Sequence, residues 1–311
     1  MAGPLLKKVS VLAAKIESTV GTAISLDATN ATFNVYNAQI TPNIQFTDRE
    51  GQGAFSKLSS VLGQQTGTCT FSTDLIMGTT ESAWSSTFLP ACGLGKSSTT
   101  YSCKSEAPGS TVKTLTMALY VNGVIRRLRG AVGNFVINCL AGQKISLDFT
   151  FQGVYDAFEA GAILAPTYAT NQALRWAAST TSIGGTAVAA SSLTFDLGNV
   201  INPLESQAVD EGVKNFIISD RRPTLTIDPE ADTSNSITRY TNWLDMSPVA
   251  VAWNSGLSAD GGKWDFSIPA AQTINQQPGE RSGIETEQLQ FLATKSAALN
   301  DEFTMTYTLE T

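Results

Sequence analysis

The sequence predicts a mainly β protein in which one strand–helix–strand unit occurs twice. Three observations predict it. Apolar and polar residues alternate with period two through several segments, the mark of strands with one buried face. Helical periodicity is confined to two short stretches. Segments of the first half also find counterparts in the second, in the same order, at an offset of about 160 residues.

The alternation is clearest at five places. Leu115, Met117, Leu119 and Val121 alternate with Thr114, Thr116, Ala118 and Tyr120. Ile145, Leu147, Phe149 and Phe151 alternate with Ser146, Asp148 and Thr150. Leu193, Phe195 and Leu197 repeat the pattern, as do Trp264, Phe266 and Ile268, and then Phe303, Met305, Tyr307 and Leu309. Thr recurs at the polar positions, where its β-branch suits a pleated surface. Asn122-Gly123 predicts a hairpin, because a type I′ turn needs positive φ at both central residues.

One helix is expected over residues 236–246, with Ile237, Tyr240, Trp243 and Leu244 on a single apolar face. A second is expected over residues 80–89, with Trp84, Phe88 and Leu89 inward and Pro90 as its stop. Residues 48–67 and 271–288, rich in Gly, Ser and Gln, read as long loops, which are uncommon without a function.

The internal echo runs as follows. Asn37-Ala38-Gln39-Ile40-Thr41-Pro42 matches Gly198-Asn199-Val200-Ile201-Asn202-Pro203, and Thr68-Cys69-Thr70-Phe71 matches Thr224-Leu225-Thr226-Ile227. Trp84 matches Trp243, and the strand 145–151 matches 303–309. With 311 residues the length suits two domains of about 150 each. The expected organisation is a first domain over 1–166, an Ala-, Thr-, Ser- and Gly-rich linker over 167–190, and a second domain over 191–311.

Composition narrows the function. Charged residues are only 15% of the chain, below the usual quarter, and Thr, Ser, Ala, Asn and Gln take their place. Such a surface suits packing against further copies. The net charge of −7 argues against wrapping nucleic acid, which needs Lys and Arg to displace counterions from phosphates. There is no histidine, so the commonest general base and the commonest metal ligand are missing. Cys69, Cys92, Cys103 and Cys139 all lie in the first half without a CxxC pair, and they read as free, buried thiols rather than a disulfide framework or zinc site. The apolar run 9–14 is interrupted by Lys15 and Glu17, too short for a signal peptide, and no run approaches the roughly 18 apolar residues of a membrane span. A cytoplasmic product is expected.

No cofactor, metal or catalytic constellation is expected. Asp210-Glu211 and Asp301-Glu302 are the nearest acidic pairs, and they read as strand ends or turns. Gly130-Ala131-Val132-Gly133 lacks the strand-to-helix context of a phosphate-cradling loop and reads as a turn or bulge. Arg126, Arg127 and Arg129 are too few for a nucleic-acid track and are expected to pair with carboxylates of a neighbouring strand or subunit. Phe55, Leu58, Val61 and Leu62 lie on a long polar stretch and need burial against something, so they are expected to dock on a neighbour, together with Ile284 of the second such stretch. A carbohydrate-binding β-sandwich is the reading from a different class, and it would require solvent-facing Trp and Tyr in one groove.

Several stretches resemble the tail tube proteins of long, non-contractile (siphovirus-type) phage tails. Val11-Leu12-Ala13-Ala14-Lys15-Ile16-Glu17-Ser18-Thr19-Val20-Gly21-Thr22 resembles that family's opening strand and turn. Thr87-Phe88-Leu89-Pro90-Ala91-Cys92-Gly93-Leu94 resembles its short helix ending in Cys-Gly. Asn122-Gly123 followed by Arg129-Gly130-Ala131-Val132-Gly133-Asn134-Phe135 resembles its hairpin and following strand, and 145–155 its closing strand. The resemblance covers most of residues 9–155, and the second half joins it mainly through the internal echo.

The resemblance implies two tandem tail-tube-like domains, each a β-sandwich or partly closed β-barrel with one flanking helix. It implies rings stacked into a hollow tube for genome ejection, in the virion tail, assembled in host cytoplasm. Three two-domain chains would make one ring, a trimer with pseudo-hexameric symmetry. The implied partners are further copies of the chain, a tape measure protein, and tail terminator and distal tail proteins, with DNA passing unbound through a lumen of net negative potential. Another virion component, distal tail or capsid-associated, is the alternative within this class.

Overall fold

Strands form where the alternation predicts them, and their pairing follows the buried face. The computed structural model describes residues 8–53, 55–105 and 112–311; residues 1–7, the start of the segment weighed above as a signal peptide, lie outside these. The first half comprises β1 (Ser10–Ile16), β2 (Val35–Glu50), β3 (Lys57–Asp74), α1 (Ala83–Ala91), β4 (Leu94–Ser97), β5 (Thr100–Cys103), β6 (Leu115–Val121), β7 (Val124–Leu140) and β8 (Ser146–Ala160). The second comprises β9 (Thr181–Ile183), β10 (Thr186–Ala187), β11 (Ala190–Asp196), β12 (Asn199–Glu205), β13 (Val213–Arg221), β14 (Thr224–Pro229), α2 (Thr233–Leu244), β15 (Val249–Asn254), β16 (Lys263–Arg281), β17 (Ile284–Ala293) and β18 (Thr304–Thr308).

Six antiparallel strands of the first half lie in the order β1-β6-β7-β8-β3-β2. Six of the second lie in the order β9-β15-β16-β17-β14-β11. Ranked by position along the chain, both orders read first, fourth, fifth, sixth, third, second. Each helix falls between the third and fourth strands of its set. The second strand of each set also breaks at a positive φ, Asn37 (54°) in β2 and Gly198 (66°) after β11. Beyond that break the outer part of β2–β3 runs past the ladder with β8, while the separate β12–β13 pair packs Val213, Phe216 and Ile218 onto Val132 of β7 and Val154 of β8.

The echo between 145–151 and 303–309 has no counterpart in this order. β8 lies between β3 and β7, whereas β18 pairs with β16 and β5; β17 holds the place equivalent to β8. Alternation alone cannot tell one half-buried strand from another, which is why the match misled.

The halves share one sheet and one core. β11 pairs with the end of β7, from Ser192 opposite Leu140 to Asp196 opposite Val136. β18 joins β16 to β5. Ring contacts cross the same seam: Trp84 of α1 lies 5.6 Å from Trp264 of β16, and Phe135 of β7 lies 6.5 Å from Phe303. Each such side chain, fully buried, contributes about 1.5–3 kcal/mol. No closed barrel forms among the described residues, because the sheet ends at β10 and β2 and no ladder joins them. The first-half strands stop short of closing, with Ala38 and Ile40 of β2 lining one groove together with Leu119 and Val121 of β6. Residues 167–190 are stitched to it through β9 and β10 and through the bridges Ile76 to Ala173 and Lys144 to Arg175.

Three local expectations need correction. Residues 48–67 and 271–288 are not loops but the outer parts of the hairpins β2–β3 and β16–β17. Their Gly and Gln residues lower β propensity, but cross-strand pairing outweighs it, with bulges at Ile44/Phe46, Thr47/Arg49 and Thr273/Asn275. Pro90 does not stop α1, which continues to Ala91. A proline in the last turn forfeits a single ladder bond, and the helix ends instead where the Cys92 N–H reaches the Phe88 and Leu89 carbonyls and Gly93 turns to φ 80°. The apolar side of α2 faces outward rather than into the core, as described next.

Candidate assembly surfaces

The β2–β3 hairpin outruns the sheet that supports it. β3 pairs with β8 only from Thr66 to Asp74, so its residues 57–65 form a ladder with β2 alone among the described residues. The register sets Phe46 opposite Leu62, Thr47 opposite Val61 and Arg49 opposite Leu58, with Phe55 in the connecting turn. Phe55, Leu58, Val61 and Leu62 are all exposed. Phe46, which the sequence reading did not single out, is 69% exposed and completes the patch. Its register against Leu62 is the signal that marks it, and that register is absent from a single strand's sequence. Lys57 pairs with Asp48 at 3.7 Å and Glu50 at 3.9 Å across the two strands. At the hairpin's base, Gln64 donates to Glu205 at 2.7 Å, and the Gln65 N–H reaches the Glu211 carbonyl. Ile284 is exposed at the turn of a different hairpin, β16–β17, where Ser282 (52°) and Gly283 (82°) supply the positive φ pair.

β2 is an edge strand, and its inner end carries a polar cluster. The Tyr36 hydroxyl donates to Asp74 at 2.7 Å, and Lys144 Nζ donates to the same carboxylate at 2.7 Å while standing 4.5 Å over the Tyr36 ring. The bond to Asp74 raises the Tyr36 pKa above the ordinary tyrosine value, and the same carboxylate raises that of Lys144.

The arginine cluster is largely spent inside the chain. Arg127 pairs with Asp156 at 2.5 Å and with Glu159 at 3.3 Å. Arg129 pairs with Asp156 at 3.3 Å and Glu211 at 2.8 Å, and donates to the Gly21 and Lys214 carbonyls. Arg126 stacks over Phe158 at 5.6 Å and forms no ion pair among the described residues. It borders a groove of about 320 Å³ with Ala38, Ile40, Leu119 and Val121.

α2 buries charge and exposes apolar groups. Its one buried residue is Arg239, whose Nε lies 2.5 Å from the equally buried Glu287 of β17. Ile237 is 65% exposed, Tyr240 50% and Leu244 64%, while Trp243 is half-buried. The period of the sequence identified the helix face but not which way it turns.

None of these surfaces has the makings of a reaction centre. Glu211 is held by Arg129 and Glu302 by Arg221, while Asp301 accepts the N–H groups of Ser296, Ala297 and Ala298. The Ala298 bond leads those that lower the Asp301 pKa. All four cysteines are free and buried, and burial pushes Cys103 and Cys139 up to about 12. Among the described residues no group of three or more candidate side chains could hold a metal ion. Trp84, Trp176, Trp253 and Trp264 are buried, and of the five tryptophans only Trp243, half-buried beside Tyr240 on α2, reaches the surface. Gly130 (φ 57°) lies within β7 at a bulge, not in a phosphate loop. Among the described residues no helix is long and apolar enough to cross a membrane.

Residues 8–293 match the family model described as phage tail tube protein. No curated protein matches the chain.

Proposed function

The chain belongs to the phage tail tube protein family, which is structural and non-enzymatic, and on that premise we propose that it polymerises into stacked rings forming the hollow tube of a long, non-contractile tail. The tube is the conduit for genome ejection, and the net charge of −7 favours a lumen that does not hold DNA. The observation that carries the ring stoichiometry is the strand order repeated in both halves. It supports two tandem tail-tube-like units, 1–166 and 191–311, joined by 167–190, with β9 added to the second sheet. Three chains then supply six units per ring. Fusing two units removes half of the association steps, each of which costs roughly 4–15 kcal/mol in lost translational and rotational freedom.

The exposed β2–β3 arm, with Phe55, Leu58, Val61 and Leu62, and the β16–β17 tip at Ile284 are the contacts proposed between rings. Arg126 is the member of the arginine cluster left for a neighbouring subunit. Tape measure, terminator and distal tail proteins are the further partners, and the virion tail, assembled in host cytoplasm, is the location.

Negative-stain microscopy of the purified protein tests the tube, which should appear as long particles of uniform diameter; closed rings alone would favour a distal tail role. Mass measurement of isolated rings tests the stoichiometry. About three times 32.9 kDa is expected, and about six times that mass would overturn the duplication.

A further inference from the structure

We infer that the outward face of α2, formed by Ile237, Tyr240 and Leu244, is covered in the assembly by the first-half sheet of a second copy of this chain, at the groove beside Ala38, Ile40, Leu119 and Val121. This rests on the self-assembly proposed above and names the contact that closes the ring.

One such seam already exists inside the chain. There β11, the second strand of its set, pairs with the end of β7, the fifth strand of the other set. α1 is enclosed at that seam: Trp84 is 2% exposed and rests against Trp264 of the opposite half. α2 occupies the same interval of its own strand set, yet among the described residues nothing covers its Ile237, Tyr240 and Leu244.

The complementary pieces of a second seam are also left open. β2 is the counterpart of β11, and it pairs with β3 alone. β16 is the counterpart of β7, and from Asn275 to Arg281 its ladder runs only to β17. An edge strand as long as Val35–Glu50 is a template for pairing with another chain. Setting β2 of one copy along that stretch of β16 in the next would repeat the internal seam. In that seam the strands β9, β11, β15 and β16 present Phe195, Trp253 and Phe266, which are covered by Phe303 at 4.1, 6.2 and 6.5 Å. The equivalent strands β1, β2, β6 and β7 present the apolar groove of about 320 Å³ instead. Charge agrees as well. Arg126 at the groove's rim lacks an ion pair among the described residues, and the exposed Asp245 caps the end of α2.

Two measurements test the inference. Ile237→Ser with Leu244→Ser changes only exposed side chains, so the circular dichroism spectrum should match the unmodified protein, while analytical ultracentrifugation should show loss of rings to monomer. In a second variant, Tyr240→Cys with Gln39→Cys, oxidation of assembled tubes should give a covalent ladder of chains on a non-reducing gel, because the native cysteines are buried. Normal tubes from the serine variant, or tubes of the cysteine variant without a ladder, overturn the contact and leave the assembly reading standing. An unmodified chain that stays monomeric at every concentration overturns both. Deletion of residues 52–64 separates the two kinds of contact, since it should still give rings but no stacks; loss of rings there would transfer ring closure to the arm and overturn the role given to α2.

Discussion

Glu17 fastens Gly130. The Glu17 Oε1 accepts the Gly130 N–H at 2.8 Å and the Thr116 hydroxyl at 2.9 Å, while Oε2 accepts the Gly21 N–H at 2.8 Å and the Thr114 hydroxyl at 2.6 Å. A carboxylate 5% exposed thus has four donors and, among the described residues, no ion pair. Gly130 sits at φ 57°, at a bulge of β7, and a Cβ there would stand 2.8 Å from that of Asn215. The bond holds the bulge where the ladders of β6 and β8 both change register.

Replacing Glu17 by Gln should therefore destabilise the fold, although size and shape are kept. An amide offers one acceptor where the site needs two, and its NH₂ would face a Gly N–H. An unsatisfied buried donor costs about 1–3 kcal/mol. Urea unfolding should show a loss in that range with an unchanged slope; equal midpoints for the two proteins would remove Glu17 from the account.

Glu17 also shows where the sequence stops being legible. The alternation of Leu115 through Val121 and the Asn122-Gly123 turn could be read directly, because a strand's period and a turn's φ requirement are local. The φ values of 33° and 105° at that turn agree. Glu17 reads locally as a polar interruption of an apolar run, since three of its four partners come from residues 97 to 113 positions away. Ile237, Tyr240 and Leu244 read as a core face for a similar reason. Periodicity locates a stripe, but only the partner that covers it decides its direction, and Arg239 found Glu287 instead. The hairpins β2–β3 and β16–β17 were hidden by composition, because cross-strand registry such as Phe46 with Leu62 is invisible in a single strand.

The Arg239–Glu287 pair gives an asymmetric prediction. Arg239→Met leaves Glu287 buried without its cation and should cost about 3–5 kcal/mol. The double change Arg239→Met with Glu287→Leu removes both charges and should recover most of that loss. Thermal unfolding of the single and double variants decides it, and a double variant no more stable than the single one would contradict the pairing.

Gly133 tests close packing within the sheet. A Cβ on Gly133 would stand 2.5 Å from the ring of Phe151, itself fully buried beside Phe71 and Phe149. Gly133→Ala should cost about 1–3 kcal/mol through overpacking. Pairing it with Phe151→Leu should return part of the loss, because the smaller side chain vacates the clashing edge. Additive losses in the double variant would show that the two sites do not touch.

The last prediction concerns alkaline pH and the edge strand. Tyr36 donates to Asp74, and that bond raises its pKa above the ordinary value of 10.0. Lys144, bonded to the same carboxylate, is raised above 10.5. For a group whose folded pKa is raised, the stabilisation is fully present below the unfolded value and is lost as pH climbs through the folded one. The cluster should thus hold β2 unchanged across neutral pH and release it only above about pH 10, where the tyrosinate forms against Asp74 and the ammonium discharges. Tyr36→Phe should melt lower than the unmodified protein by a constant margin at neutral pH, and that margin should shrink as pH passes about 10. Because β2 is the edge proposed to meet the next copy within a ring, rings should open over the same alkaline interval. A margin that is already shrinking between about pH 6 and 8, or that grows at alkaline pH, has the wrong sign for this cluster.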